Sequence, residues 1–280
     1  MSDAHISGNP WRAGVSYAAT HRNGELVQVK ASAGTGGGGG GPRAAIGGFS
    51  RQSRRRLLYL LASIDQQASG LPLFVTLTYP GQDWETYAAN MKRHLDNFHR
   101  WLAYHRPTTS AIWRLEVQKR GAPHFHLLVF GAGFLDCLLV AEAWWRIVGS
   151  AQESHLLAGT QVKACARWRE ATRYMAKYMA KPQEETAEVP ELWRLPGRFW
   201  GVWGAKNLPV CPEYWTLTPE VAARFRRVLR GHAKSRGYRL RNGSSVTAFL
   251  PHAAAERALL FCQAQRRTAS DSDVGLAESN

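Results

Sequence analysis

The sequence predicts an α+β fold, a central, mainly antiparallel sheet with helices packed on it. Three observations carry this. Residues 110–118, SAIWRLEVQ, alternate apolar and polar; KRGAP turns the chain; and PHFHLLVFG, ending at Gly131, returns as a partner strand, which makes a hairpin. LPLFVTLTYP (71–80) reads as a further strand closed by proline. DWETYAANMKRHLDNFHRWLAYHR (83–106) is amphipathic at helical spacing, with Asp83 as N-cap and Tyr87, Met91, Leu95, Phe98 and Leu102 as its apolar stripe.

The other elements follow in order. Residues 1–48 contain GTGGGGGGP and little periodicity, so they read as a flexible arm with short pairing around GELVQVK. The glycine run is no phosphate loop, because Pro42-Arg43 stands where Gly-Lys-Ser/Thr is needed. FSRQSRRRLLYLLASIDQQ (49–67) is helical, with Leu57, Leu58, Leu61 and Ile64 as its buried stripe. LDCLLVAEAWWRIVG (135–149) is a helix, LLAGTQVKACARW (156–168) a strand, and REATRYMAKYMAKP (169–182) a helix stopped by Pro182. GRFWGVWG (197–204) is a tight segment whose glycines permit close approach. PEVAARFRRVLRGHAKSRGYRLR (219–241) begins as a helix, and residues after 266 form a disordered tail. The domains expected are an arm (1–48), a main α+β domain (49–210), a basic helical extension (211–266) and the tail (267–280).

The chain has 280 residues, 45% of them apolar, enough for a sizeable core. Its formal charge is +15, which points to a polyanionic partner, most simply nucleic acid. From Arg224 to Arg241 there are eight bases and no acid; Arg224, Arg226, Arg227, Arg230, Lys234 and Arg236 are the candidate DNA contacts. No run of 18 apolar residues exists and the N-terminal stretch lacks the pattern of a signal peptide, so no membrane role and a cytoplasmic location are expected. The cysteines Cys137, Cys165, Cys211 and Cys262 lack C-x-x-C spacing and read as reduced core thiols.

The chemistry concentrates in two places. In a strand His124 and His126 point to one face, which suits a metal ion or two polar residues at a sheet rim. If the hairpin turn centres on Arg120, Glu116 lies across from His124 and Arg114 across from His126. Glu116, His124 and His126 then make a candidate divalent-ion site, with Gln118 as a further ligand. The second place is RYMAKYMAK, where Tyr174, Lys177, Tyr178 and Lys181 fall on one helical stripe. That stripe suits phenols that attack a phosphate beside ammonium groups that hold it; it also suits tyrosines packed on a sheet with snorkelling lysines. Trp113, Trp200 and Trp203 are candidates for stacking bases or for core packing.

FVTLTYP, PHFHLL and YMAKYMAK, in this order, resemble the three motifs of the HUH endonucleases that initiate rolling-circle replication. Those motifs are an F-x-T-L-T strand, a His-hydrophobe-His strand with a carboxylate upstream, and Y-x-x-K on a helix. The doubled Y-x-x-K-Y-x-x-K is similar to the two-tyrosine initiators of small single-stranded-DNA phages and some plasmids. The resemblance spans roughly residues 71–204. It implies an RRM-like sheet, with Mg²⁺ or Mn²⁺ held by Glu116, His124 and His126. It also implies attack by Tyr174 or Tyr178, with Lys177 and Lys181 beside them, on single-stranded or hairpin origin DNA. The chain carries no phosphate loop, so a host helicase and DNA polymerase are the implied partners, in a bacterial cytoplasm. Two other readings stand beside it: a two-tyrosine transposase, and a non-catalytic nucleic-acid-binding α+β domain.

Overall fold

The computed structural model describes residues 16–30, 48–68, 70–81, 83–179, 197–240, 243 and 245–274. The strands are β1 (Ser16–His21), β2 (Leu26–Lys30), β3 (Leu73–Thr78), β4 (Ser110–Val117), β5 (Pro123–Phe130), β6 (Thr160–Ala164), β7 (Trp200–Trp203), β8 (Pro212–Leu217) and β9 (Ser245–Phe249). The helices are α1 (Arg51–Ala62), α2 (Trp84–Ala88), α3 (Met91–His105), α4 (Cys137–Val148), α5 (Glu153–Ala158), α6 (Trp168–Tyr174), α7 (Pro219–Ser235) and α8 (His252–Val274). A π-helical turn, Met175–Met179, continues α6. The chain is α+β and divides into two units, one of residues 41–61 and 66–209, the other of residues 1–40, 62–65 and 210–280.

The first unit is built on an antiparallel sheet of order β6-β3-β5-β4-β7. The β4–β5 hairpin forms as expected, with Gly121 at φ 86° in its turn and Glu116 paired with His124, Arg114 with His126. Strand alternation divides the side chains between two faces. On one, Phe125 meets the fully buried Trp144 of α4 edge-on at 6.4 Å, and Phe98 of α3 meets the same indole at 6.0 Å. That aromatic layer holds one side of the sheet. The opposite face carries His124, His126, Glu116 and Arg114, and it receives α1 and α6. Ser53 of α1 accepts from Trp200 Nε1 at 2.9 Å, and Phe74 of β3 stacks on Tyr174 of α6 at 3.7 Å. The glycine expectation at 197–204 holds at Gly201, where a Cβ would come within 2.9 Å of the Trp113 ring. The segment itself is an edge strand.

Several expectations are corrected. Residues 83–106 form two helices, because the chain turns at Ala89 and Asn90. Asp83 stands at the first cap, but at φ 55° and with no side-chain cap bond. The stretch 156–168 begins in α5 before β6, since Glu153–Ala158 closes a short helix on Gly159. Ile64 lies beyond α1 and bridges to Val210. Cys137 is exposed, at the start of α4, and is no core thiol. Pro182, expected to stop the tyrosine helix, lies outside the described residues.

The second unit corrects the ends of the chain. The pairing expected around GELVQVK forms, as β2 against β1, but within a full sheet: the expected arm supplies β1 and β2 and the expected helical extension β8 and β9, in the antiparallel order β8-β1-β2-β9. Ala18, Val27, Val29, Leu217, Val246 and Ala248 point from it into a core shared with Val221, Phe225 and Leu229 of α7 and Leu259 of α8. α7 is well capped, since Thr218 accepts from the Val221 N–H and Pro219 opens its first turn. α8 runs to Val274, into the stretch expected to be a disordered tail.

Candidate active site

The site stands where β4, β5 and the tyrosine-bearing helix meet. Glu116 Oε2 lies 2.9 Å from His126 Nε2, and His126 Nδ1 lies 3.1 Å from the Tyr174 hydroxyl. A carboxylate only accepts. For a neutral imidazole, Nε2–H therefore donates to Glu116, and Nδ1 accepts from the Tyr174 O–H. The three groups form a line from carboxylate through imidazole to phenol. His126 is 3% exposed, whereas Glu116 and Tyr174 at the two ends of the line are partly buried.

Tyr174 is placed by two contacts besides this one. Its ring stacks on Phe74, and it lies 4.5 Å from the ring of Tyr178. Tyr178 in turn lies 5.0 Å from the His126 ring. Both phenols thus border the same imidazole. The π-helical turn between them shifts the register from the i→i+4 spacing of an α-helix. Burial raises the Tyr174 pKa, and the neighbouring Tyr178 and the Glu116 carboxylate push it in the same direction. The phenol therefore needs a proton acceptor, and His126 Nδ1 is in position to be one.

His124 lies beside His126 with ring centroids 4.4 Å apart, and its Nδ1 is 3.4 Å from Gln118 Nε2. Arg120 Nε donates to Gln118 Oε1 at 3.0 Å, which turns the amide N–H₂ toward His124. Burial, then the adjacent His126, pushes the His124 pKa down to about 4, so the ring is neutral at physiological pH. Neutral imidazoles and a carboxylate are the donor types that a hard-to-borderline divalent ion accepts. Glu116, His124 and His126 thus share one face as expected. As they stand, Glu116 and His126 are bonded to each other, and among the described residues no group of three His, Cys, Asp or Glu side chains is placed to hold a metal ion. Loading an ion would require that hydrogen bond to open.

Of the two lysines expected beside the phenols, one lies in the described residues. Lys177 is exposed, and its Nζ lies 4.8 Å from the centroid of the Tyr178 ring. Lys181 lies outside the described residues. The candidate DNA contacts on α7 and at its C-cap, Arg236, divide by depth. Arg227, Lys234 and Arg236 are exposed, whereas Arg224, Arg226 and Arg230 are half-buried, Arg230 donating to the Gly243 carbonyl. Trp113 is buried, and Trp203 stacks on His99 at 4.6 Å.

Two residues at the site went unread in the sequence. Phe74 was legible only as part of a strand motif, although the alternation of 73–78 puts it on the face of Thr76, the partner of His126. Arg114 was legible as the cross-strand partner of His126, with no role attached. It is 2% exposed, donates from Nη1 to the Tyr178 carbonyl at 2.5 Å and stacks over Phe49 at 4.4 Å.

An antiparallel α+β sheet with a carboxylate–imidazole–phenol line on one face is consistent with an HUH or RRM-like fold. Comparison with known proteins bears on the same stretch. Residues 72–183 match the family model of the replication-associated proteins of the ORF2 type. The chain is also 27% identical over 183 residues to the "Putative replication protein" of Xylella fastidiosa (strain 9a5c), a match covering 58% of each chain. The chain thus spans well under two thirds of that relative's length. Among the described residues no helix is long and apolar enough to cross a membrane.

Proposed function

We propose that the protein is a replication initiator that nicks single-stranded or hairpin origin DNA through a tyrosine. One observation carries the reading: the Tyr174 hydroxyl lies 3.1 Å from His126, itself bonded to Glu116, within the stretch similar to replication-associated proteins. A phenol aimed at a buried imidazole is how a weak nucleophile is activated. The hydroxyl gives its proton to Nδ1, and Glu116 balances the imidazolium. The phenolate oxygen bonds to phosphorus while the bond to the 3′ oxygen breaks, and that oxygen takes up a proton. A 5′-phosphotyrosyl link and a free 3′-hydroxyl result; the hydroxyl primes a polymerase. The phosphotyrosyl ester retains the energy of the broken bond, so a second strand end can reverse the step. Tyr178, bordering the same His126, supplies a second phenol.

Mg²⁺ or Mn²⁺ held by Glu116, His124 and His126 would polarise the scissile phosphate and offset its growing charge. Ligation at Nε2 would move the ring proton of His126 to Nδ1 and end its service as acceptor. The two duties of His126 are therefore alternatives. The test mixes the protein with a labelled single-stranded origin, with Mn²⁺ or with EDTA, and looks for a protein–DNA band that survives denaturation. A band with Mn²⁺ alone supports the metal-assisted reading. A band in EDTA leaves His126 as base without the ion. No band under either condition makes the protein a non-catalytic DNA binder.

A further inference from the structure

Arg114 is an expensive residue for its position. A buried guanidinium loses its hydration, and only good partners offset the loss. Burial pushes its pKa down to about 10; the Glu116 carboxylate works against that fall, and Arg54 adds to it. Its Nε has no hydrogen-bond partner among the described residues. Ile112, two residues earlier on the same face of β4, shows that an apolar side chain serves there. A buried polar group that is costly and incompletely satisfied calls for a reason beyond packing.

The reason lies in what Arg114 holds. Its Nη1–H donates to the carbonyl of Tyr178, in the π-helical turn. In an α-helical register that carbonyl would accept from the N–H of residue 182. Residue 182 is proline and has no N–H. The guanidinium supplies a donor to that carbonyl from the strand position paired with His126. The flat guanidinium resting on Phe49 is fixed in orientation, which a flexible ammonium would not be.

We propose that Arg114 is a positioning residue: by capping the Tyr178 carbonyl from the sheet, it fixes the second phenol against His126. The proposal rests on the reading of Tyr174 and Tyr178 as nucleophiles. It separates the two tyrosines, because Tyr174 is held by Phe74 and by its own hydroxyl bond, whereas Tyr178 is held through its backbone.

The test is adduct mapping by mass spectrometry on full-length wild type, Arg114→Gln and Arg114→Lys, each with a labelled single-stranded origin and Mn²⁺. In Arg114→Gln, adduct on Tyr178 should fall about tenfold or more relative to adduct on Tyr174, since small misplacements of a reacting group cost up to about a hundredfold. DNA affinity should be unchanged. Arg114→Lys, which keeps a donor and the charge, should recover part of the Tyr178 adduct. Parallel loss at both tyrosines in a folded variant, or no change at either, overturns the proposal. Should Arg114→Gln fail to fold by circular dichroism, Arg114→Lys is read by the same ratio. Amide exchange over residues 175–179 gives a readout independent of cleavage. Faster exchange in the variant supports the anchor, and unchanged exchange overturns it. A wild type without adduct on either tyrosine overturns the nucleophile reading itself and is recognised before any variant is compared.

Discussion

Glu116 is paired with His124 across the β4–β5 ladder, yet its carboxylate bonds His126, at 2.9 Å. The diagonal contact leaves His124 to Gln118 and commits His126 to the phenol. The two histidines of the motif are therefore not equivalent, although the sequence presents them alike.

This inequality predicts how substitutions divide. His126→Ala should abolish adduct formation, because it removes both the proton acceptor and a candidate ligand. His124→Ala should also abolish it if an ion is required, and should leave it within a few-fold if His126 acts as base alone. If the chain binds DNA as proposed, phosphate contacts elsewhere should dominate affinity, so both variants should still bind it. Adduct yield and filter binding on the same samples check this.

The paired phenols predict partial redundancy. Tyr174→Phe and Tyr178→Phe should each retain some single cleavage on an oligonucleotide, and the double variant none. Phenylalanine keeps the stacking on Phe74 and removes only the hydroxyl, so a folding defect does not imitate a catalytic one. Adduct found on one tyrosine under every condition, with the other variant fully active, would show a single-tyrosine enzyme.

His94 predicts a pH dependence of stability. It is buried behind the sheet, hydrogen-bonded to Tyr79 at 3.0 Å, and burial lowers its pKa from 6.5 to about 4. Between those values the unfolded chain takes up a proton that the folded chain refuses. Stability is therefore full above about pH 6.5 and falls as pH drops toward 4, by about 3 kcal/mol from this group at most. Urea midpoints at pH 7 and pH 4.5 should draw closer together in His94→Gln. An unchanged gap would assign the acid sensitivity to other histidines.

The exposed bases of α7 predict a salt effect. Arg227, Lys234 and Arg236 replaced together by glutamine should reduce the slope of log affinity against log salt by about 2 on single-stranded DNA. Truncation after residue 218 would not test this, because α7, β9 and α8 carry the core of their unit. Phe225→Ala there should cost about 3–5 kcal/mol. A slope unchanged in the triple variant would make the stripe an ordinary solvated face.

The hairpin and its register were legible because alternation and a short Gly-containing turn are local signals. So was the shared face of Glu116, His124 and His126. The second sheet was not legible. β1, SYAATH, has no clean alternation, and its partner β8 lies almost two hundred residues away, so nothing local marks the pair. The glycine run suggested an arm and obscured the strands before it. The break between α2 and α3 was hidden by a continuous apolar stripe that passes through both. Arg114 was invisible as an anchor because a strand arginine reads as solvent-facing until the helix above it is known.

The strand pairing of the second sheet has a consequence for how the protein is made. β1 and β2 leave the ribosome early, but their partners β8 and β9 are translated only after the whole five-stranded unit. For most of synthesis the first hairpin has two unpaired edges and no core, while the unit bearing His126 and Tyr174 has all its strands in hand. The unit bearing His126 and Tyr174 should therefore become protease-resistant on stalled ribosomes before the sheet that pairs β1 and β2 with β8 and β9.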